Sequence, residues 1–425
     1  MTLADSNMFD VAIAGAGPAG TSAAIQLAMN GARVLLVEEK KFPRAKLCGE
    51  FISPECFTHF KRLGVNDEML AAGGVSLSQT VFYSRRGHSV AVPSEWFKSG
   101  AMALGLSRSE MDHRLLKRAK GAGVVVLEES HASGLIHEGG QVHGIRVKSA
   151  AGKGDRVSDD YRALVTIDAT GRTRALTRHL DPHTPGNKQR QRPRLVAFKA
   201  HLENTRLAEG SCEIYFYQGG YGGLSGVEGG LSNLCFIVST DDVRHYASDP
   251  EMVLREVVMK NARAGYTLSG ARAHTQWLSV SLDGFGKRAL VPARGLLTVG
   301  DAAAFIDPFT GSGMLMALES GQVVAETVVR GLPMLRAGGL FESITNRYKT
   351  EYVTRFNSRL RISGLLRRAA FVPGLAESAI LLCGPSSLLR RKLARATRHS
   401  TNRRIISTGL TRSTRNKDSE KLIGR

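Results

Sequence analysis

Residues Phe9 to Glu39 read FDVAIAGAGPAGTSAAIQLAMNGARVLLVEE, and the reading of this stretch decides the fold. Val11-Ala12-Ile13-Ala14 is an apolar run short enough for one buried strand. Gly15, Gly17 and Gly20 follow at G-x-G-x-x-G spacing. A helix-period segment comes next, with Ala24, Leu27 and Ala28 on one face, and Gly31 ends it. A second apolar run, Arg33 to Val37, stops at Glu38. Strand, tight turn, helix, strand and acid together make a dinucleotide-binding fingerprint, which the three glycines alone would not.

Each part has a physical reason. Gly15 permits the sharp turn, Gly17 lets a pyrophosphate approach the backbone, and Gly20 lets the helix pack close to the sheet. The turn as a whole, Gly15, Ala16, Gly17, Pro18, Ala19 and Gly20, is the expected phosphate cradle. The helix start adds free N–H groups and partial positive charge. Glu38 is placed to bond a ribose hydroxyl. The fingerprint does not separate NAD from FAD.

The chain has 425 residues, room for two or three domains. The first strand starts close to the N-terminus, so no leader is expected. No apolar run approaches the roughly 20 residues of a membrane span. Five cysteines without CxxC or Cys/His clustering argue against disulfides and structural zinc, and a reducing cytoplasm is expected. The net charge of +20 is uneven: from Arg330 onward 21 Lys and Arg face 5 Asp and Glu. The basicity therefore belongs to the last quarter.

Downstream, Cys48-Gly49-Glu50 reads as a loop, and Ser53-Pro54-Glu55 as a helix start with Ser53 as cap. Cys48 is a site candidate, with a small buried residue as the alternative. Residues 75 to 105 read as short strands. Arg108 precedes a helix capped by Ser109, where it could reach a phosphate or lie on a solvated surface. Strands follow over 123–175, with a turn at Gly152-Lys153-Gly154-Asp155 and Asp168-Ala169-Thr170-Gly171 at the end. Residues 181–194 are a polar crossing. Residues 195–285 are β-rich with one helix, Pro250 to Arg263, and the aromatic run Tyr215-Phe216-Tyr217. A further strand ends in Gly300-Asp301, and Gly311-Ser312-Gly313-Met314 opens a long helix. Asp301 is read either as an acceptor for a polyol chain or as a helix cap. The Gly311 to Met314 turn is a second anion site.

Two such sites in one domain suit FAD better than NAD. The segments GAGPAG, Glu38, Arg108, GVVVLEESHASGL, DATG and GDAAAFIDPFTGSGM lie in an order similar to the FAD-dependent family of geranylgeranyl reductases and aromatic-hydroxylating flavin monooxygenases. PRAKLCGE at 43–50 resembles the Pro-x-x-Lys-x-Cys-Gly segment of the geranylgeranyl-reductase-like branch. The resemblance implies an α/β fold: a Rossmann-like FAD domain of glutathione-reductase type, an inserted β-rich substrate domain and a C-terminal helical segment. The expected division gives the FAD domain residues 8–75, 106–180 and 286–330. The substrate strands take 76–105 and 195–285, basic helices 331–398, and a disordered basic tail 399–425.

The resemblance also implies roles. Cys48 and Glu50 become catalytic candidates near the flavin, and Ala132 offers backbone to the adenine. NAD(P)H or another reduced carrier is implied as a transient electron donor. The substrate is a hydrophobic small molecule, a prenyl or polyketide-like chain whose C=C bond is reduced. Hydroxylation of an aromatic or olefinic substrate with O₂ is the alternative, and a catalytically silent nucleotide sensor is a third reading. Halogenases are close relatives, but Trp96 and Trp277 stand alone, without the Trp-x-Trp signature. Tyr215, Phe216, Tyr217 and Tyr221 are expected either to wall an apolar pocket or simply to pack within the sheet. The basic C-terminus suggests contact with a membrane surface or a solvated tail. Nucleic acid is not expected, because no recognition module accompanies the charge.

Overall fold

The computed structural model describes residues 7–98, 100–150, 156–180, 194–371 and 374–396. The expected turn at 152–155, the crossing at 181–194 except its last residue, the last two residues of the basic helices expected over 331–398, and the tail at 399–425 lie outside the described residues. Met8–Ala14, Val34–Val37, Val125–Leu127, the second half of Arg156–Asp168, and Leu296–Thr298 form a parallel sheet. Its apolar runs are buried on both faces, so they show no alternation. The first half of Arg156–Asp168 leaves this core and pairs antiparallel with Gln141–Ala150, which pairs with Ser130–Glu138.

The fingerprint helix, Pro18–Met29, and the long helix Gly313–Arg336 pack directly against each other. A Cβ on Gly321 would lie 2.4 Å from the Ala19 carbonyl oxygen, so this glycine sets the crossing distance. Ser22 donates a hydrogen bond to the Leu318 carbonyl at 2.9 Å. That contact brings two segments nearly 300 residues apart into one site.

A second sheet has the order Arg272–Ala273, Leu195–Glu203, Ser232–Ser239, Gly220–Gly226, Ser211–Tyr217, Gln79–Tyr83, Ser89–Pro93, with Leu278–Leu282 also on Leu195–Glu203. Side chains alternate along each strand. Phe198, Ala200, Leu202, Leu234, Phe236 and Val238 bury one face under short helices. Ala197, Ile237, Phe216 and Tyr221 occupy the other, toward Phe305 and Phe309.

Three local expectations are corrected. The helix after the CGE loop is Cys56–Leu63 and begins beyond Ser53, whose carbonyl closes a turn with the Cys56 N–H at 2.9 Å. Ser107, not Ser109, caps the helix Arg108–Gly121, its Oγ accepting from the Glu110 N–H at 3.2 Å. Arg108 is thus the first helical residue. The single helix expected over 250–263 is Pro250–Glu256, a 3₁₀ turn, and Ala262–Thr267. Asn261 forces the break: its Oδ1 accepts from the Arg263 and Ala264 N–H groups and starts a new helix.

Candidate functional site

The fingerprint glycines divide by cause. Gly15 has φ +101° and a Cβ there would lie 2.4 Å from the Ala169 carbonyl oxygen. A Cβ on Gly20 would lie 1.9 Å from the Gly15 oxygen. Both are glycines because the protein itself leaves no room. Gly17 has φ −72°, and the nearest atom to its Cβ would be an Arg108 Nη2 at 3.9 Å. Nothing in the protein requires glycine at 17, so the open space before it fits a ligand's phosphates. Pro18 follows as the first helical residue, where its missing N–H costs nothing, and Ala19 packs below.

Glu38 is buried at the end of its strand. Its Oε2 accepts from the Ala16 N–H at 2.9 Å and its Oε1 from the Lys40 N–H at 3.1 Å, with Arg44 3.4 Å away. These bonds tie the glycine turn to the second strand and leave lone pairs for a ribose. Ala132 is buried on Ser130–Glu138, next to the strand end, where the Ser130 N–H donates to the Glu38 carbonyl at 2.9 Å.

On the far side, Gly311 sits at φ +57° and the long helix opens at Gly313, where a Cβ would meet only Ile306 at 3.8 Å. Ser312 is fully buried and shares a 2.7 Å hydrogen bond with Thr310, and Met314 packs into the core. Asp301 is half-buried in a short 3₁₀ turn. Burial raises its carboxyl above the usual range, although Arg172, Arg108, Lys46 and Arg288 pull the other way. The Lys46 ammonium is lowered, by partial loss of solvent and by the Arg108, Arg44 and Arg172 charges, although the residue as a whole is exposed. An excess of cations around one carboxylate, with two helix N-termini opening nearby, suits a diphosphate-bearing ligand.

Arg108 is held by Asp112, at 2.8 Å from Nε and 2.7 Å from Nη2. Burial works against its charge, but the paired Asp112 carboxylate outweighs it, so the guanidinium is held protonated. Cys48 is half-buried, and its carbonyl accepts from Asn233 Nδ2 at 3.1 Å.

Glu50 is fully buried, with φ +53°, a backbone region that side-chain-bearing residues rarely adopt. Its Oε1 accepts from the Arg108 N–H at 2.8 Å and from Lys199 Nζ at 2.5 Å, and its Oε2 pairs with His201 Nε2 at 2.6 Å. Burial opposes the charge, but the His201 hydrogen bond and the Lys199 ammonium outweigh it, so the carboxyl lies below its ordinary value of 4.5. Lys199 and His201 were not among the expected site residues. The signal was present: LVAFKAHLE carries two polar residues two apart, hence on one face of a strand. Cys235 faces Lys199 across the sheet, and burial pushes its thiol up to about 12.

The expected aromatic wall divides in two. Tyr215 and Tyr217 turn to the far face, while Phe216 and Tyr221 join Leu47, Phe305, Phe309, Phe371 and Ile380 in one apolar cluster. Odd and even positions of one strand cannot share a face. Leu47 adjoins Cys48, so this cluster borders the CGE loop. Tyr221 donates to Asp307 at 2.5 Å, and burial raises the Asp307 carboxyl.

A glycine turn, two helix N-termini and a cluster of cations around Asp301, beside a parallel sheet, define an FAD-dependent oxidoreductase. The chain belongs to the FAD binding domain family, which matches residues 8–326. It is 27% identical to digeranylgeranylglycerophospholipid reductase of Methanosarcina mazei over 335 residues, covering 76% of each chain. It is 24% identical to menaquinone reductase of Mycolicibacterium smegmatis, again over 76% of each. The solved geranylgeranyl bacteriochlorophyll reductase-like protein of Thermoplasma acidophilum superposes with a TM-score of 0.74 at 21% identity, over 92% of this chain and 97% of that one. A flavin-dependent brominase superposes at 0.73 with 19% identity, over 92% and 93%. The fold is therefore shared by reductases and halogenases alike.

Proposed function

We propose that the protein reduces carbon–carbon double bonds of a prenyl-type lipid, with Cys48 as the proton donor. The observation that carries this reading is that the CGE loop lies between the two halves: Leu47 packs in the apolar cluster, while the adjoining Cys48 packs against the core of the FAD-binding half beside Arg108. The relatives named as prenyl-lipid and menaquinone reductases support it. FAD, when bound, supplies the two-electron chemistry that no side chain offers. NAD(P)H or a similar reduced carrier is the donor we infer.

Saturating a double bond consumes one hydride equivalent and one proton, and the proton is the protein's share. Glu50 is a poor source: its depressed carboxyl is ionised at neutral pH, fully buried and engaged by three partners. We assign it as a positioning residue that fixes the backbone of the loop. Cys48 carries the exchangeable proton, and its sulfur is oriented by the Glu50 N–H, which donates to it at 3.4 Å. Gly15 to Gly20, Glu38, Arg108, Ala132, Asp301 and Gly311 to Met314 are the residues we assign to FAD. The Phe216, Tyr221 and Phe309 cluster excludes water from the chain to be reduced.

The test is turnover of a prenyl acceptor by reduced enzyme under strict anaerobiosis. Saturated product is expected. Hydroxylated product that appears only with O₂ supports the monooxygenase reading instead. Protein that cannot be loaded with FAD would sink both.

A further inference from the structure

The short helices Leu375–Cys383 and Ser387–Ala396 close the described chain, and their inner and outer faces differ sharply. Inward, Ile380 is buried in the apolar cluster beside Tyr221 and Phe309. Glu377 pairs with His88 at 2.7 Å, and Arg390 donates to the Ala91 carbonyl at 2.8 Å while lying over the Trp96 ring. The two helices are thus seated on the edge strand Ser89–Pro93 of the second sheet, next to the proposed substrate region.

Outward, the same helices present leucines to solvent: Leu381 at 51%, Leu382 at 74% and Leu388 at 65% exposure, with Leu375, Leu389 and Leu393 also exposed. Isolated exposed leucines need no explanation, but six on 22 residues are a patch. Arg391, Lys392 and Arg395 are exposed among them. Between Arg361 and Ala396 the sequence has seven Lys and Arg and a single acid, Glu377, which is paired with His88.

From these facts we infer that the outer face of residues 375–396 docks on an anionic lipid surface, its leucines entering the acyl boundary and its arginines and lysine meeting the headgroups. A helix with exposed leucines and exposed cations is physically suited to that interface, with Arg391 and Lys392 as the main cations because Arg395 also donates to the Trp96 carbonyl at 3.5 Å. The charge complementarity selects an anionic bilayer over a neutral one, and over a second copy of this basic chain. Docking there places the apolar cluster, through Ile380, against the phase in which a prenyl chain dissolves. The inference does not depend on which bond the enzyme reduces.

The full FAD-loaded chain is sedimented with vesicles of phosphatidylcholine, with and without phosphatidylglycerol. The wild type is expected in the pellet only with the anionic vesicles, and is released by salt. Leu381→Glu with Leu382→Glu and Leu388→Glu is expected in the supernatant, with its flavin absorbance intact. Arg391→Gln with Lys392→Gln is expected to weaken partitioning about 25-fold, at about fivefold per charge. Wild type that stays in the supernatant, or a leucine variant that sediments like wild type, overturns the inference. A soluble dimer broken by the leucine changes, without vesicle binding, assigns the face to self-association and overturns it too. Prenyl-reductase turnover is read in parallel. Wild type that turns over without binding vesicles refutes docking alone, and wild type that binds without turnover refutes the reductase reading alone.

Discussion

Replacing Glu50 by Gln tests the network that joins the CGE loop to the second sheet. The carboxylate is fully buried between Lys199, itself 3% exposed, and His201. Glutamine keeps an acceptor for the Arg108 N–H but removes the negative charge, leaving the Lys199 ammonium buried without its counter-ion. Breaking a buried pair from one side costs about 3–5 kcal/mol. The retained hydrogen bonding puts the expectation near the lower end, about 3 kcal/mol. With a urea slope of about 3 kcal/mol/M, the midpoint falls by about 1 M. Adding Lys199→Met removes the stranded charge and should recover most of the loss, which a merely steric defect would not allow.

The pH dependence has a fixed sign. Glu50 has a folded pKa below 4.5, so its contribution is complete above 4.5 and disappears as pH falls through the folded value. The gap between wild type and Glu50→Gln should therefore close in acid. A midpoint shift below about 0.3 M at pH 7, equivalent to about 1 kcal/mol, or no recovery in the double variant, would refute the charge argument.

Gly17→Ala should fold with near-wild-type stability but lose FAD, read as visible absorbance, because its Cβ meets only ligand space. Gly20→Ala should lose stability outright, since its Cβ strikes the Gly15 carbonyl. Equal behaviour of the two would remove the distinction. Cys48→Ser should retain FAD and reduce turnover at least about tenfold, on the scale of general-acid contributions, and unchanged turnover returns Cys48 to a packing role. Tyr221→Phe should cost about 1–3 kcal/mol in urea unfolding, because the buried Asp307 carboxylate loses its hydroxyl donor.

Local chemistry made the FAD-binding half legible. A glycine turn, its helix and its terminal acid are contiguous in sequence, so Phe9 to Glu39 states its own geometry, and Gly311 to Met314 does the same for the second helix start. The short-range errors, at Ser53, Ser109 and the 250–263 helix, arose where several capping residues compete within a few positions. Side-chain assignment to faces was harder. Tyr215, Phe216 and Tyr217 read alike in sequence, and only strand alternation within a known sheet separates them.

The sequence by itself determined that this chain binds a dinucleotide, because phosphate recognition uses backbone groups at fixed spacing. It also placed a cysteine and an acid shortly after that unit. Tertiary structure alone decided what surrounds them. Lys199 and His201 lie about 150 residues from Glu50, and no local pattern names their partner. A buried charge must find its counter-charge in space, so the pairing was fixed by the docking of the second sheet on the CGE loop.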